Sequence, residues 1–334
     1  FLAFFRLSNI KSNNLLKEKL HTFNPDLVYI HNTWFKANLG IFKLLKDENY
    51  SVYIKLHNFR YYCTRFFSIS RHLGARSHCS MCSLEKKGIY FNKYFQDSYL
   101  KSFFVILYGK KYYKILKNYG FNLLVMTNFQ KTFLEKLGFN KEKIDIYINP
   151  TSYSDNFNYD EKSDYIVYAG RVTSEKGVPE LIEAWNKANI NDINLKIVGG
   201  GELLNLISKN NKNKNVEFLG ELDHHETLKI IKKSRGVVTA TKMYEGQPRL
   251  LCEALVNGIP SLFPEYGGMS EFFPKEYILK FDQYNYEDLK DKIKLFEDES
   301  ILKKISNDLF KYSNETFNKE KLLKKFESIT TKNN

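Results

Sequence analysis

The stretch YIVYAGRVTSEKGVPELIEAWNKANINDINLKIVGG, residues 165–200, decides the fold of the chain. Its first part, YIVYAG (165–170), is an apolar run rich in β-branched and aromatic residues, which predicts a buried strand. A segment with helical spacing follows at about 178–189, and a second apolar strand, LKIVGG, occupies 195–200. This strand–helix–strand rhythm predicts a parallel sheet that is covered by helices on both faces.

The same alternation extends to both sides of this stretch. Further strands are predicted at 25–32, 51–58, 122–128, 143–150, 216–220, 236–241 and 260–265. Further helices are predicted at about 11–22, 36–47, 90–119, 202–210, 224–234 and 248–257, with one more that ends at Gly138.

The polar, unpatterned segment 151–164 is typical of a linker. We therefore predict an α/β chain of two doubly wound, Rossmann-like domains, residues 1–150 and 165–305, with a helical tail at 306–330. Ligands bind beyond the carboxyl ends of such strands, so we expect the domains to face a cleft.

Length and composition agree with a folded protein of two domains. A chain of 334 residues exceeds the usual size of one domain, and 43% hydrophobic with 27% charged residues is ordinary for a globular protein. The longest apolar run, Phe103–Tyr108, is far shorter than the ~20 residues that cross a bilayer as a helix. No secretory signal pattern opens the chain, so we interpret the four cysteines as reduced thiols and the protein as cytoplasmic.

The excess of positive charge lies in the first half of the chain. Residues 1–150 hold 24 Lys and Arg against 9 Asp and Glu, whereas residues 151–334 hold 27 against 29. A one-sided basic surface usually faces an anionic partner, such as a nucleic acid, a lipid headgroup layer or a phosphorylated substrate. A lysine bias of the whole genome would raise the charge of both halves, so it does not explain the difference by itself.

The segment YEGQPRLLCEAL, residues 244–255, combines two carboxylates with the start of a predicted helix. Pro248 suits the first helical position, and the first-turn amides then have no acceptor within the helix, which favours a bound phosphate. These amides belong to Arg249, Leu250 and Leu251, and we call the position they form the anion seat. Glu245 precedes this anion seat and Glu253 follows it, so each can accept bonds from the hydroxyl groups of a sugar–diphosphate–ribose. A solvated helix with a proline cap explains the same residues equally well.

A second charged segment, YAGRVTSEKG at 168–177, follows a predicted strand. Gly170 ends the strand, and Arg171 and Lys176 lie in the loop before the next helix. Two cations at this strand end can neutralise a diphosphate leaving group, and an anion between them offsets the unfavourable effect of positive charge at a helix N-terminus. The alternative is a solvated loop whose charges lie near a helix start.

Together these motifs resemble the retaining nucleotide-sugar glycosyltransferases of glycosyltransferase family 4, which have the two-domain GT-B fold. The resemblance covers nearly the whole chain, and each motif is weak when it is taken alone. Their order and spacing make the set specific: Gly170-Arg171, Lys176-Gly177, IVGGGE (197–202), NVEFLGEL (215–222), Glu245-Gly246, Glu253-Ala254, Gly258-Ile259-Pro260 and GGMSE (267–271).

The resemblance implies a role for each matching residue. Arg171 and Lys176 are expected to contact the donor diphosphate. Glu245 is expected to contact the donor sugar, and Glu253 to hold the ribose. The base pocket and the rest of the donor site are expected to include Gly170, Val198, Gly199, Leu219, Gly220, Gly246, Arg249, Leu250 and Leu251.

The first domain contributes one candidate catalytic residue. The segment IKLHNFRYYC, residues 54–63, is similar to a strand followed by a histidine that faces the donor sugar in this family, and the matching residue is His57. A lone histidine at a strand end is more often structural, but the order of the surrounding motifs favours the catalytic interpretation. His31, in IHNTW, is a second candidate on the acceptor side.

Three cysteines, Cys63, Cys79 and Cys82, form a C-x15-C-x2-C pattern. Two histidines lie near them, His72 and His78. Three thiolates and one imidazole suit a structural zinc ion, and a similar pattern occurs in a subset of these bacterial transferases. Loop cysteines without metal are the simpler interpretation, and we predict no metal for the reaction. Cys252, on the helix after the anion seat, is interpreted as a packing residue.

Lysines and aromatic residues are interleaved at 86–117. The set includes Lys86, Lys87, Lys101, Lys110, Lys111, Tyr112, Tyr113 and Lys114. Aromatic rings and lysine heads suit a membrane interface, where each well-placed cation contributes ~1 kcal/mol at an anionic leaflet. A solvated charged face is the plainer alternative. The charge of residues 1–150 favours peripheral association with the inner face of the plasma membrane.

The reaction implied by the resemblance moves a sugar from a nucleotide-diphosphate sugar to an acceptor hydroxyl, with retention at the anomeric carbon. A basic first domain fits a glycan or polyprenyl-diphosphate-linked acceptor in the synthesis of a capsule, an O-antigen or an exopolysaccharide. No cofactor beyond the donor substrate is expected. The alternatives are another GT-B enzyme, such as a sugar-nucleotide epimerase or a phosphorylase, and a nucleic-acid-binding protein, which would not need carboxylates beside an anion seat.

The start of the chain departs from the family pattern. The family begins with a strand and a glycine-rich loop, whereas this chain opens with FLAFFRLSNI, without Met, and reaches its first predicted strand near residue 26. We therefore expect a fragment whose first-domain sheet is incomplete.

Overall fold

The computed structural model describes residues 8–31, 33, 38–60, 98–151, 159 and 162–331. The chain divides into two compact units. The first unit ends at Ile148 and the second begins at Asn149, and the chain returns to the first unit at Phe326. The predicted linker at 151–164 lies mostly outside the described residues.

The first unit contains a parallel sheet with helices between its strands. The strands are β1 (Val28–His31), β2 (Val52–Lys55), β3 (Asn122–Val125) and β4 (Ile144–Ile146), in the order β1-β2-β3-β4. The helices are α1 (Ile10–Phe23), α2 (Gly40–Asp47), α3 (Tyr99–Asn118) and α4 (Asn128–Lys136). Every residue of β2 and β3 is buried, as expected for the central strands of a sheet that is covered on both faces.

The second unit contains a six-stranded parallel sheet. Its strands are β5 (Ser163–Ala169), β6 (Asn194–Val198), β7 (Val216–Gly220), β8 (Ser234–Val238), β9 (Ser261–Pro264) and β10 (Lys280–Phe281). Its helices are α5 (Val178–Ala188), α6 (Leu204–Asn210), α7 (His224–Lys233), α8 (Arg249–Leu255), α9 (Tyr286–Lys294) and α10 (Glu299–Thr316), and α11 (Lys319–Thr331) leads back to the first unit. Strand β10 and helix α9 were not predicted.

The strand order of the second unit creates a crevice at one edge of the sheet. The order is β10-β9-β8-β5-β6-β7, so β6 and β7 lie on one side of β5 and the later strands lie on the other. The connections after β5 and β8 therefore leave the sheet in opposite directions, which opens a ligand-binding crevice at the carboxyl ends. This parallel, doubly wound topology agrees with the predicted fold class.

The glycines of IVGGGE, residues 197–202, allow neighbouring backbones to pass close together. Gly199 has φ +128°, and a Cβ atom there would lie 2.0 Å from the carbonyl oxygen of Gly170. The Gly199 N–H donates to the Gly220 carbonyl (2.7 Å), and the Gly170 N–H donates to the Val198 carbonyl (2.9 Å). Any side chain at Gly199 would separate the ends of β5, β6 and β7.

The helical tail predicted for 306–330 corresponds to the end of α10 and to α11, and these residues belong to the two compact units. Leu302 and Leu309 of α10 are fully buried in the second unit. In the first unit, Tyr53 of β2 is fully buried, and its hydroxyl donates to the carbonyl of Ile329 on α11 (3.1 Å). The amphipathic spacing identified these helices, but it does not tell which surface a helix covers.

Helix α3 presents only part of its basic and aromatic segment to solvent. Tyr113 is 5% exposed and packs edge-on against Phe139, so the interfacial position predicted for Tyr113 is wrong. Lys111 and Lys114 are exposed. The predicted lysines outside the described residues are Lys86 and Lys87. No helix in the described part of the chain has both the length and the apolar character needed to cross a bilayer.

Candidate functional site

A pocket of about 770 Å³ opens at the carboxyl ends of the strands of the second unit. Its walls come from the segments after β5, β6, β7 and β8 and from the first turn of α8. It therefore occupies the crevice that the strand order creates. The volume is typical of a site for a small-molecule ligand or cofactor.

The structure brings together the four charged residues of the two sequence motifs. Arg171, Lys176, Glu245 and Glu253 all line the pocket. The other predicted donor-site residues that line it are Gly170, Val198, Gly199, Arg249, Leu250 and Leu251. Those that do not line it are Leu219, Gly220 and Gly246, and His57 belongs to the first unit. Gly220 supports the wall from behind, since its carbonyl accepts the Gly199 N–H.

Lys176 and Glu245 form an ion pair inside the pocket. Lys176 Nζ lies 2.6 Å from Glu245 Oε1, and the two side chains are only 21% and 19% exposed. The hydroxyl of Thr241 also donates to Glu245 Oε1 (3.3 Å). A ligand that separates this pair must offer an anion to the lysine and hydrogen-bond donors to the carboxylate. A sugar joined to a diphosphate offers both.

The loop that carries Lys176 packs directly against the backbone that follows β8. Lys176 ends a short 3-10 turn, and Gly177 adopts a left-handed conformation (φ +69°) before helix α5 begins. A Cβ atom at Gly177 would lie 1.9 Å from the carbonyl oxygen of Ala240. Because Gly177 permits this contact, Lys176 and Glu245 become neighbours although they are far apart in sequence.

Arg171 is held less tightly than Lys176. Its guanidinium is 59% exposed, and Nη1 lies 3.4 Å from Glu175 Oε1. Its backbone is anchored, since the Tyr168 hydroxyl donates to the Arg171 carbonyl (2.7 Å). A long cationic side chain on a fixed backbone can reach an anion at the pocket rim at little cost, because an exposed ion pair contributes little to stability.

Glu253 is paired with Arg249 on the same helix. Arg249 Nε donates to Glu253 Oε1 (2.6 Å), and the carboxylate is 15% exposed while the guanidinium is 72% exposed. His224, at the start of α7, places Nε2 at 2.9 Å from Arg249 Nη2 and 3.8 Å from the Glu253 carboxylate. The carboxylate is therefore held by Arg249 at the wall of the pocket, which Glu253 lines.

Helix α8 starts one residue later than predicted. Pro248 occupies the cap position, with ψ 107°, and the helix runs over seven residues from Arg249. Such a short helix has a small dipole, so we expect its end to attract an anion less strongly than the side-chain cations of Lys176 and Arg171 do. Cys252 is 1% exposed and packs inside the unit as predicted, and burial raises the pKa of its thiol.

The structure adds lining residues to which the sequence analysis assigned no role. They include Glu221, His224, Thr239, Thr241 and Gln247. Thr239 and Thr241 follow β8 directly, so the strand-end rule that selected Gly170 would have found them. Gln247 and His224 carry no such signal, because their positions depend on how two loops fold.

In the first unit, His57 follows β2 and meets His31 at the end of β1. His31 Nδ1 and His57 Nε2 lie 2.9 Å apart, and the rings stack with centroids 5.1 Å apart. The histidines meet because β1 and β2 are parallel neighbours. Burial, then the charges of His31 and Lys55, lowers the pKa of His57 from 6.5 to about 4. His57 is therefore uncharged at neutral pH. In this form its ring can donate a hydrogen bond to an uncharged hydroxyl group or accept one from it.

The lowered pKa of His57 predicts that acid destabilises the first unit. Below pH 6.5 His57 is protonated in the unfolded chain, whereas in the folded chain it stays neutral down to about pH 4. The free energy of unfolding therefore decreases as the pH falls between these values. His57 is half-buried, so solvent screening limits the loss to about 1–2 kcal/mol. In urea unfolding followed by circular dichroism, His57→Gln is expected to flatten this dependence. His225→Gln, at a 76% exposed side chain, is the control, and equal slopes in all three proteins would contradict the prediction.

Within the described ranges no group of three or more His, Cys, Asp and Glu side chains is placed to hold a metal ion. The candidate zinc ligands Cys63, Cys79 and Cys82 lie outside those ranges.

Residues 151–315 match the protein family Glycosyl transferases group 1. The uncharacterized glycosyltransferase MJ1607 of Methanocaldococcus jannaschii is 30% identical over 146 residues, which are 39% of this chain and 37% of that protein. Protein CapJ of Staphylococcus aureus is 29% identical over 122 residues, which are 35% of this chain and 30% of that protein. The matched part thus spans about a third of either relative.

Solved structures share the fold over almost the whole chain. Sucrose-phosphate synthase of Thermosynechococcus elongatus superposes with a TM-score of 0.69 at 17% identity, over 96% of this chain and 77% of that one. HepE of Anabaena, solved with UDP and glucose, gives a TM-score of 0.67 at 13% identity, over 96% and 82%. These similarities confirm the predicted GT-B fold. Residues 151–315 are therefore similar to the glycosyl transferases group 1 family, within a chain of the GT-B fold.

Proposed function

We propose that the protein is a retaining glycosyltransferase that uses a nucleotide-diphosphate sugar as donor. The observation that carries the proposal is the convergence of two cations and two carboxylates on one pocket at the strand ends of the second unit. Cations suit the diphosphate, and carboxylates suit the hydroxyl groups on either side of it. The match of residues 151–315 to the glycosyl transferases group 1 family supports the same assignment.

Different pocket residues bind different parts of the donor. Lys176 and Arg171 bind the diphosphate, and the first-turn amides of α8 face it from the other side. Glu245, released from Lys176, accepts from the hydroxyl groups of the sugar. Glu253, held by Arg249, accepts from the ribose, which places the base against the glycine-rich ends of β6 and β7.

The reaction proceeds by displacement on the face from which the diphosphate leaves. The acceptor oxygen bonds to the anomeric carbon as the bond from that carbon to the diphosphate oxygen breaks, and the departing diphosphate takes the acceptor proton. Lys176 and Arg171 stabilise the negative charge that grows on the leaving group, which is the larger part of the catalysis. These two cations do this work without a metal ion, so we propose metal-independent transfer.

The donor and acceptor are proposed by class. HepE was solved with UDP and glucose, so a UDP-sugar is the first donor to test. The basic character of residues 1–150 fits a glycan or a polyprenyl-diphosphate-linked acceptor in cell-surface polysaccharide synthesis, and peripheral association with the inner face of the plasma membrane.

The proposal is tested by binding and then by transfer. UDP, GDP, ADP and dTDP, each with its nucleoside as a control, are screened by thermal shift, and one diphosphate is expected to raise the Tm while its nucleoside does not. With the matching nucleotide sugar, release of the diphosphate is expected to require a glycan acceptor, to persist in EDTA and to give a product of unchanged anomeric configuration by NMR. No response to any diphosphate would overturn the proposal. Release without an acceptor would point to an epimerase or a hydrolytic enzyme instead.

A further inference from the structure

Gln247 makes two hydrogen bonds to the backbone of a single residue, Asn149. The Asn149 N–H donates to Gln247 Oε1 (2.7 Å), and Gln247 Nε2 donates to the Asn149 carbonyl (3.0 Å). Both groups are partly buried and both belong to the second unit. The side-chain amide thus satisfies the donor and the acceptor of one peptide position at once, as a neighbouring strand would.

Gln247 lies in the sequence between two charged residues of the pocket. Gln247 itself lines the pocket, two residues after Glu245 and two before Arg249. The loop that ends at Gln247 is also held at its beginning, where the Lys242 N–H donates to the Glu175 carbonyl (2.9 Å) and Gln283 Nε2 donates to the Thr241 carbonyl (3.2 Å). In its middle, Tyr244 stacks on Tyr266 and Glu245 pairs with Lys176. Gln247 therefore fixes the end of the loop from which helix α8 starts.

We propose that Gln247 is a positioning residue for the donor site, which fixes the 241–248 loop so that Glu245 and the first turn of α8 are preorganised for the nucleotide sugar. The inference rests on the proposed function for the identity of the ligand. Gln247 touches Asn149 and acts through Glu245 and α8. A loop that is already ordered costs the ligand less free energy to bind than a loop that must be ordered on binding.

The decisive variants are Gln247→Ala and Gln247→Glu. Gln247→Ala removes both bonds. Gln247→Glu at about pH 8 keeps the acceptor for the Asn149 N–H and loses the donor to the Asn149 carbonyl, and protonation of the introduced carboxyl as the pH is lowered restores the donor. Asn205→Ala, which removes an exposed amide on helix α6 of the same unit, is the control.

Two measurements on the full chain test the inference. In hydrogen-exchange measurements without ligand, Gln247→Ala is expected to exchange the amides of 241–248 about ten times faster than wild type, because two hydrogen bonds of modest net strength are lost. The exchange rates of β5 in this variant, and of 241–248 in Asn205→Ala, are expected to stay unchanged.

By calorimetry, the Kd of the nucleotide diphosphate that binds best is expected to rise about tenfold in Gln247→Ala, since the loop must then be ordered on binding. In Gln247→Glu, the ratio of Kd to that of wild type is expected to be raised near pH 8 and to fall toward one as the pH is lowered. A merely structural role would not produce this recovery.

The outcomes separate the inference from the proposed function. Unchanged hydrogen exchange in 241–248 would overturn the inference. So would faster exchange with unaltered nucleotide affinity, because the loop would then be ordered by Gln247 without consequence for the ligand. A wild-type protein that binds no nucleotide diphosphate would reject the proposed function, whereas binding by wild type with no change in the variants rejects only the role of Gln247.

Discussion

Replacing Lys176 with methionine is expected to raise the Kd for the nucleoside diphosphate at least tenfold, because a charge-assisted bond to phosphate contributes about 1.5–3 kcal/mol. The effect on kcat/KM is expected to be larger, about a hundredfold to a thousandfold, since in the proposed mechanism Lys176 also stabilises the charge that grows on the departing diphosphate. Methionine keeps the apolar length of the side chain and removes only the cation. Calorimetry and initial rates measure the two effects separately.

The control for this change is Lys187→Met on helix α5. Lys187 is 54% exposed and paired with Glu183 outside the pocket, so its loss is expected to leave affinity and rate unchanged. Uridine, or the nucleoside of whichever diphosphate binds, provides a second check. If Lys176→Met weakens the nucleoside as much as the diphosphate, the lysine maintains the shape of the pocket and does not bind phosphate.

Replacing Glu253 with alanine is expected to abolish the preference of the protein for a ribonucleotide over its 2′-deoxy form. In the proposed donor site the wild-type carboxylate accepts from the ribose, and a hydrogen bond to a charged group that is only 15% exposed is expected to give a preference of about tenfold to a hundredfold. The variant has lost the acceptor, so both forms are expected to bind with the same weak affinity. Calorimetric titration of the two ligands into both proteins measures the difference directly.

Two further variants separate binding from orientation at this position. Arg249→Ala keeps the Glu253 carboxylate but removes the guanidinium that holds it, so it is expected to reduce the ribose preference without abolishing it. Glu183→Ala, which removes a 67% exposed carboxylate outside the pocket, is the control. A Glu253→Ala protein that still prefers the ribonucleotide as strongly as wild type would contradict the ribose assignment.

Much of the fold follows from simple patterns in the sequence. The strands of both sheets were predicted within a few residues, because central parallel strands are apolar on both faces and are bounded by polar turns. Strand β10 was missed because two residues, Lys280 and Phe281, give no pattern. Helix α9 was missed because only Leu289 and Ile293 are buried in an otherwise charged segment.

The candidate site was predictable where it depends on strand ends and not where it depends on loop paths. Arg171 and Lys176 were found because charged residues after a parallel strand lie at the ligand-binding edge of a sheet. The Arg249–Glu253 pair has the helical spacing of four residues, which the sequence shows. The Lys176–Glu245 pair and the contact between Gln247 and Asn149 join residues that are distant in the chain, and no local pattern identifies such partners.

The return of helix α11 to the first unit has a consequence for biosynthesis. Tyr53 is buried beside Leu124 and Ile329, and its hydroxyl bonds the Ile329 carbonyl across 276 positions of the chain. Loop-closure entropy opposes contacts of such separation, and chains fold from the N-terminus while they leave the ribosome. The apolar surface of the first sheet that α11 covers therefore stays exposed until translation has passed residue 329. A nascent chain that stalls after β10 but before residue 329 already contains all the strands of its second unit. Its first unit nevertheless exposes that apolar surface to chaperones and to aggregation.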